Sequence, residues 1–266
     1  MRIDDLHYTL DVLKEDFKAN GKSVSLVGLG EPLLYPHLKE AITLTHDKLP
    51  QSLVVLNTNA LLLDKHEYLL KALNPDDILV FSINGSNCFA YKKYMNSPLF
   101  EQAVHNVNSF LKEYAQDVPN YHKRSTIYLR YLNVPENDVK EFRSLWMPMA
   151  LLHPKVKISQ HPLLHWNATR HNTIRTACPS LWGGIIVDVD GDVYPCCNAL
   201  AKRNSELLIG NIRQADIVEQ YERKLPLLRE QHLRKQYSPS CLTCDFWREA
   251  SWKWKVLNGL SLIARS

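Results

Sequence analysis

The chain has 266 residues, 45% of them hydrophobic and 23% charged, with a formal net charge of +4. That composition supplies a core of ordinary size and argues against disorder or a collagen-like repeat. No apolar run approaches the ~18 residues of a membrane span. The opening MRIDDLHYTL lacks the basic-then-apolar layout of a secretory signal, so a cytoplasmic location is expected. Residues 201–266 hold 12 basic and 7 acidic groups, so the positive excess lies at the C-terminal end. It is read as a solvated face, and nucleic acid is not an expected partner.

Leu6, Leu10, Leu13 and Phe17 recur at helical spacing. Val24-Ser25-Leu26-Val27 reads as a buried strand, and Pro36 as the opening of a helix through Leu38 and Ile42. Leu53-Val54-Val55-Leu56 is the next strand, and Asp64 with Glu67 resembles a capping pair for a following helix. Ile78–Ile83 is a third strand, Phe100–Tyr114 a helix, Thr126–Tyr131 a fourth strand, Glu136–Trp146 a helix and Val156–Ser159 a short fifth strand. Strands alternating with helices predict a parallel α/β sheet or barrel. The pattern then changes. His161–Thr176 is polar and irregular. Ile185–Val189 and Asp192–Tyr194 flank Asp190-Gly191, a pair suited to a type I′ hairpin turn. Ala215–Gln231 reads as a helix, and residues 247–263, with Trp252, Val256, Leu260 and Ile263 apolar, as a closing one.

Six cysteines need an explanation: Cys88, Cys178, Cys196, Cys197, Cys241 and Cys244, five of them within the last 89 residues. In a reducing compartment clustered cysteines point to metal or catalysis rather than disulfides. Cys241-Leu-Thr-Cys244 is a CxxC, which places two thiolates on one turn. Cys178 lies 18 positions before Cys196, and Cys196 lies 45 before Cys241, so distant segments can complete a four-thiolate site. Cys196 follows the hairpin directly and is the expected ligand. Cys197, pointing the other way on an extended chain, is read as packed or spare. Structural zinc and an iron–sulfur cluster both use four thiolates, and spacing does not separate them.

A second signal is Gly28-Leu29-Gly30-Glu31-Pro32 at the end of the first predicted strand. Glycine lets backbone approach a ligand closely, and ligands bind at the C-terminal ends of parallel strands. Glu31 is a placed acceptor for an ammonium group.

The segments GLGEPLLYPHL, LNTNALLL, FSINGS and IYLRYLNVPENDVKEF resemble successive βα units of radical S-adenosylmethionine (SAM) enzymes. ACPSLWGGIIVDVDGDVYPCCNA, LLIGNIRQADIVEQY and CLTC resemble their C-terminal SPASM or shorter twitch extension. The resemblance implies a partial (β/α)6 radical-SAM-like barrel over residues 1–160 that lacks its first strand, a linker at 161–177, and a SPASM/twitch domain over 178–266 with a hairpin and helices. It implies two cofactors, S-adenosyl-L-methionine and one auxiliary [4Fe–4S] cluster. Gly28, Gly30, Glu31 and Pro32 match the segment that receives the SAM amino group. Asn59 matches the asparagine of Thr-Asn-Gly, with Ala60 in place of the glycine. Ser82 matches Ser-Ile-Asp-Gly, with Asn84 in place of the aspartate, and Arg130 lies on a strand that supplies a polar contact to SAM. Cys178, Cys196, Cys241 and Cys244 match the auxiliary-cluster ligands, which raises iron–sulfur above zinc.

One departure matters most. Cys88 is the only cysteine before residue 178, so the CxxxCxxC of the family's SAM-cleaving cluster is absent from these residues. In the resemblance that motif lies between a first barrel strand and the helix at residues 5–18. The 24–28 strand is then expected to be an unpaired edge, the coding sequence to have been started late, and Met1 to be an internal methionine. The DNA upstream tests this. The activity implied is hydrogen abstraction by a 5′-deoxyadenosyl radical, for dehydrogenation or peptide maturation. It would act on a small-molecule or peptide substrate with a reducing partner such as flavodoxin or ferredoxin. The chain as written is not expected to cleave SAM. The alternative is a non-catalytic iron–sulfur or zinc-stabilised binding protein. His161, His165 and His171 lack a compact ligand spacing and are read as solvated or capping. Trp247, Trp252 and Trp254 are read as packing, and Tyr194 and Trp182 as core around the cluster. Asp188, Asp190 and Asp192 lack the calcium-loop pattern and are read as turn chemistry.

Overall fold

The structure, a computed structural model, describes residues 1–116, 124–163 and 175–247. The predicted closing helix at 247–263, with Trp252 and Trp254, lies outside the described residues apart from Trp247, as do His165 and His171. The chain divides into two compact units, residues 19–163 on the one hand and residues 1–18 with 164–266 on the other. Helix α1 (Ile3–Glu15) therefore groups with the C-terminal residues and not with the sheet that follows it.

The 19–163 unit is a five-stranded parallel sheet: β1 (Val24–Ser25), β2 (Val54–Thr58), β3 (Ile78–Asn84), β4 (Thr126–Asn133) and β5 (Val156–Pro162). Its spatial order equals its chain order. Crossovers that all advance in one direction with one hand leave their helices on a single face. These are α2 (Leu38–Lys48), α3 (Leu69–Ala72), α4 (Cys88–Met95), α5 (Phe100–Ala115) and α6 (Val139–Leu152). The core lies where that geometry puts it. Leu56, Leu79, Phe81, Ile83, Ile127, Leu129 and Tyr131 from alternate strand positions cluster with Leu38, Ile42, Val107, Phe110, Phe142 and Trp146 from the helices. Burying each such side chain contributes about 1.5–3 kcal/mol. The intervening positions Asn57, Ser82, Tyr128, Arg130 and Ser159 fall on the opposite face. The parallel α/β sheet is one of the two forms that the alternation predicts.

Local differences have local causes. Pro36 does not open α2, whose N-cap is His37. Pro32 instead opens a 3-10 turn at Pro32–Leu34, capped by Glu31. Asp64 and Glu67 do not cap a helix: Asp64 sits inside a 3-10 turn, and α3 is a single turn after Tyr68 with no side-chain cap. Helix α4 carries no apolar stripe long enough to read, and it starts because Asn87 accepts from Ala90 N–H. Helix α6 begins at its Asp138 cap and runs through Pro148 to Leu152, six residues past the predicted end. Proline there removes one backbone donor but does not stop the helix. His161 and Pro162, read as linker, belong to β5, with His161 Nδ1 2.8 Å from Pro162 O.

Gly85 shows how tightly the β3–α4 corner is closed. A Cβ built on it would stand 2.5 Å from Tyr91 N and 2.7 Å from its Cα, and that backbone belongs to α4. Gly85→Ala is therefore expected to destabilise the unit by about 1–3 kcal/mol or more, the cost of overpacking. Hydrogen–deuterium exchange of peptides covering β3 and α4 in the variant measures it, and unchanged protection there would show that the corner yields.

The second unit holds a small antiparallel sheet in the order β6 (Ile186–Val187), β7 (Asp192–Tyr194), β8 (Gly210–Asn211). Helices α7 (Cys197–Ala201), α8 (Ile217–Leu233) and α9 (Pro239–Leu242) accompany it. Helix α1 joins through Val12, which packs with Val193, Ile209, Ile212 and Ile217. Phe17 meets Tyr221 edge to face at 5.3 Å, and Asp5 pairs with Arg213. The apolar spacing of α1 announces a buried face without saying against which part of the chain.

The hairpin turn is not type I′. Only Gly191 has positive φ, at +86°, and Gly191 N–H donates to Asp188 O. That is a type I turn followed by a left-handed residue, a three-residue loop. Asp188 Oδ1 accepts from the N–H of Asp190 and of Asp192, both at 2.9 Å, so the acidic alternation is turn chemistry. Asn211 Nδ2 braces the loop by donating to Asp190 O (3.0 Å) and Asp192 Oδ1 (2.9 Å). Gly210 beside it is closely covered by side chains, with Gln214 Oε1 2.7 Å from where a Cβ would stand.

Candidate functional site

The predicted cysteines converge. Cys178, Cys196, Cys197, Cys241 and Cys244 line one cavity together with Arg175, Leu181, His232, Phe246 and Trp247. Cys178 stands immediately before the 3-10 turn Pro179–Trp182. Cys196 is the extended N-cap of α7, and its Sγ accepts from Ala199 N–H at 3.4 Å. Cys241 lies in α9, which Ser238 caps and Pro239 opens, and Cys244 follows with its N–H on Cys241 O at 3.2 Å. Asn198 Nδ2 donates to Ser240 O (3.5 Å), and Asn204 bonds Ser240 Oγ, so the Cys196 segment is tied to the CxxC segment. Cys88 is exposed and takes no part.

The surroundings are mostly apolar. Burial pushes the Cys178 thiol up, Cys196 up to about 12 and Cys244 up to about 11. Without a cationic centre these groups stay protonated, so a metal that binds them must displace their protons. Four thiols from three segments around one cavity fit a thiolate-held group. Among the described residues, no three His, Cys, Asp or Glu side chains are gathered as the ligands of a single metal ion.

Sequence reasoning missed three neighbours. His232 is buried, and its Nδ1 accepts the Cys178 N–H at 3.3 Å. Burial and the adjacent Arg175 charge push its pKa down to about 4. Arg175 lies 4.1 Å over the Tyr237 ring and 5.8 Å from the Trp247 ring, while His232 meets Tyr237 edge-on at 4.9 Å. A lone His or Arg between helices carries no spacing signal that would have found them. Tyr194 is buried in a core cluster against which Cys196 and Cys241 pack, as expected. Trp182 is not core: it is 38% exposed, with Arg229 stacked on it at 5.6 Å.

The SAM-type residues all lie in the sheet unit: Gly28, Gly30, Glu31, Pro32 and Asn59 beyond the C-terminal ends of β1 and β2, and Ser82 and Arg130 within β3 and β4. Gly28 and Gly30 are exposed, and a Cβ on either would meet nothing within 4 Å, which leaves backbone open to a ligand. Glu31 already holds two backbone donors, Leu33 N–H on Oε1 (3.1 Å) and Asn59 N–H on Oε2 (2.9 Å). It therefore joins the β1 and β2 loops, with one lone pair on each oxygen left for a ligand. Asn59 Oδ1 accepts from Leu61 N–H, closing a turn that puts Ala60 at φ +66°, where the family's glycine would be unstrained. Asn84 likewise sits at φ +60°, a conformation that asparagine and aspartate tolerate. Ser82, Arg130 and Ser159 are register neighbours across β3, β4 and β5. On the same face Asn57 Oδ1, Tyr128 OH and Ser159 Oγ are buried with no hydrogen-bond partner among the described residues. Orphaned polar atoms of this kind call for a ligand or water, so this polar face fits a bound small molecule.

Residues 178–245 match the family model for SPASM, an iron–sulfur cluster-binding domain. No curated protein matches the chain. Among solved structures the chain is similar to BtrN in complex with AdoMet and 2-DOIA, at 16% identity and a TM-score of 0.51, over 91% of this chain and 79% of that one. It is also similar to selenomethionine BtrN in an open conformation, at 16% identity and a TM-score of 0.42, over 92% and 83%. No helix among the described residues is long and apolar enough to cross a membrane. At such identity the likeness to AdoMet-bound BtrN is one of fold alone, while residues 178–245 are similar to SPASM iron–sulfur cluster-binding domains.

Proposed function

We propose that the chain is a radical SAM-like iron–sulfur protein of the oxidoreductase or maturase type, with a SAM-binding sheet and an auxiliary-cluster site. The carrying observation is the single cavity lined by Cys178, Cys196, Cys241 and Cys244 inside the SPASM match. These four would hold one [4Fe–4S] cluster. Gly28, Gly30 and Pro32 would give the SAM amino acid a close backbone approach. Glu31 would accept from its ammonium group, and Asn59, Ser82 and Arg130 would orient the rest. The crystal structure of BtrN with AdoMet supports that assignment by fold. Bound SAM, given one electron, supplies a carbon radical able to take hydrogen from a substrate. This chain's own share is to bind, orient and exclude water. The substrate is a small polar molecule or a peptide side chain, the electron source a flavodoxin- or ferredoxin-like protein, and the setting the cytoplasm.

Anaerobic reconstitution tests the cluster. The expected result is about one cluster's worth of iron and sulfide per chain. Stoichiometric zinc without sulfide would overturn it.

A second reading rests on a specific observation, since Cys88 alone precedes Cys178. One thiolate does not hold a SAM-cleaving cluster, so these 266 residues by themselves act as a non-catalytic iron–sulfur binding protein. The chain, given SAM and dithionite, should yield no 5′-deoxyadenosine. Its formation would sink this second reading.

A further inference from the structure

Among the described residues lining the cysteine cavity, Arg175 is the one that carries a permanent positive charge, and sequence reasoning gave it no role. It lines the same cavity as the four thiols, three positions before Cys178. Its guanidinium rests 4.1 Å over Tyr237 and 5.8 Å from Trp247, which fixes its plane. Its Nε is buried with no hydrogen-bond partner among the described residues. Trp247 is itself buried, and the cavity is walled by Leu181, Leu207, Leu228 and Phe246, so the charge acts through a medium that screens it poorly. A buried guanidinium N–H without an acceptor is costly. Arg175 shares the lining of its cavity with all four thiols.

We propose that Arg175 is a positioning and tuning residue for the cluster, held by Tyr237 and Trp247 so that its charge and its free N–H face the cluster sulfurs. This rests on the iron–sulfur reading of the four cysteines. A cluster held by four thiolates is negatively charged in both oxidation states and gains one more negative charge on reduction. A fixed cation beside it stabilises the reduced state more than the oxidised one. Net charge and hydrogen bonds to sulfur are among the quantities that set such potentials. The consequence is a cluster easier to reduce than the same four cysteines would give alone. Buried Asp245, next to Cys244, is the opposing charge in the neighbourhood.

The test is a redox titration, followed by visible absorbance and electron paramagnetic resonance, on the full chain carrying its reconstituted cluster. Wild type is compared with Arg175→Gln, Arg175→Met and Arg175→Lys. Both neutral variants should shift the midpoint to more negative potential, while the lysine variant stays nearer wild type. Neutral variants that load the cluster and titrate like wild type overturn the proposal, and so does a lysine variant that shifts as far as they do. If the neutral variants fail to load iron and sulfide while lysine loads them, the charge is required to hold the cluster and the role stands. If all three fail, Arg175 is only a packing anchor and the proposal falls. Failure of the iron–sulfur reading looks different, because wild type itself would then hold no sulfide.

Discussion

Asp77→Ala is expected to cost the sheet unit about 3–5 kcal/mol, the scale for removing one partner of a buried charged network. Asp77 is 1% exposed and sits just ahead of β3. Its Oδ1 accepts from Val54 N–H at 2.6 Å, its Oδ2 from Asn74 N–H at 2.6 Å, and His46 Nε2 lies 2.9 Å from Oδ2. Its own carbonyl accepts from Thr126 N–H at 2.8 Å. One residue thus joins helix α2 and strands β2, β3 and β4 at the N-terminal edge of the sheet. Alanine would leave the buried Val54 donor without a partner, at about 1–3 kcal/mol, and would also release the Asn74 N–H that fixes the turn before β3. Asp77→Asn keeps an acceptor for Val54 and should cost less. Because the chain has two compact units, a single unfolding midpoint would mix them. Hydrogen–deuterium exchange of peptides covering β2 and β3 isolates the effect. Unchanged protection there in the alanine variant would refute the network's importance.

The legible parts of this protein and the hidden parts differ in range. All five strands of the parallel sheet are written locally, as short apolar runs between turn residues, and they appear within a few residues of their expected ends. The four cysteines were legible because a CxxC and a hairpin are local devices, and the cavity then brings those segments together. What was hidden depends on contacts between distant segments. The apolar face of α1 could have packed on the sheet, yet Val12 joins Ile209, Ile212 and Ile217. Arg175, His232 and Tyr237 are spread over more than sixty positions of chain, and no spacing rule unites them. Glu31 was read as an acceptor for an ammonium group. The structure adds a prior duty, the bond to Asn59 N–H that joins two loops. Ala60 and Asn84 looked like departures from a pattern. At φ +66° and +60° they mark the positions where the backbone asks for glycine or asparagine.

Cys196→Ser is expected to lose most bound iron and sulfide, about tenfold or more relative to wild type, while Cys197→Ser retains both. Both thiols line the cavity, so proximity does not choose between them. The backbone distinguishes them. Cys196 is extended, with φ −164° and ψ 163°, and caps α7, whereas Cys197 begins the helix. The cap is held in place, since Ala199 is fully buried, Leu200 nearly so, and Asn198 is tied to Ser240. Serine suits this comparison because it is a good N-cap, and the Ala199 N–H that Cys196 Sγ now accepts would keep its partner. Loss of iron from Cys196→Ser with unchanged helix content would therefore report a lost ligand and not a lost fold. The reverse pattern, with iron kept in Cys196→Ser and lost in Cys197→Ser, would move the fourth ligand one residue along the chain.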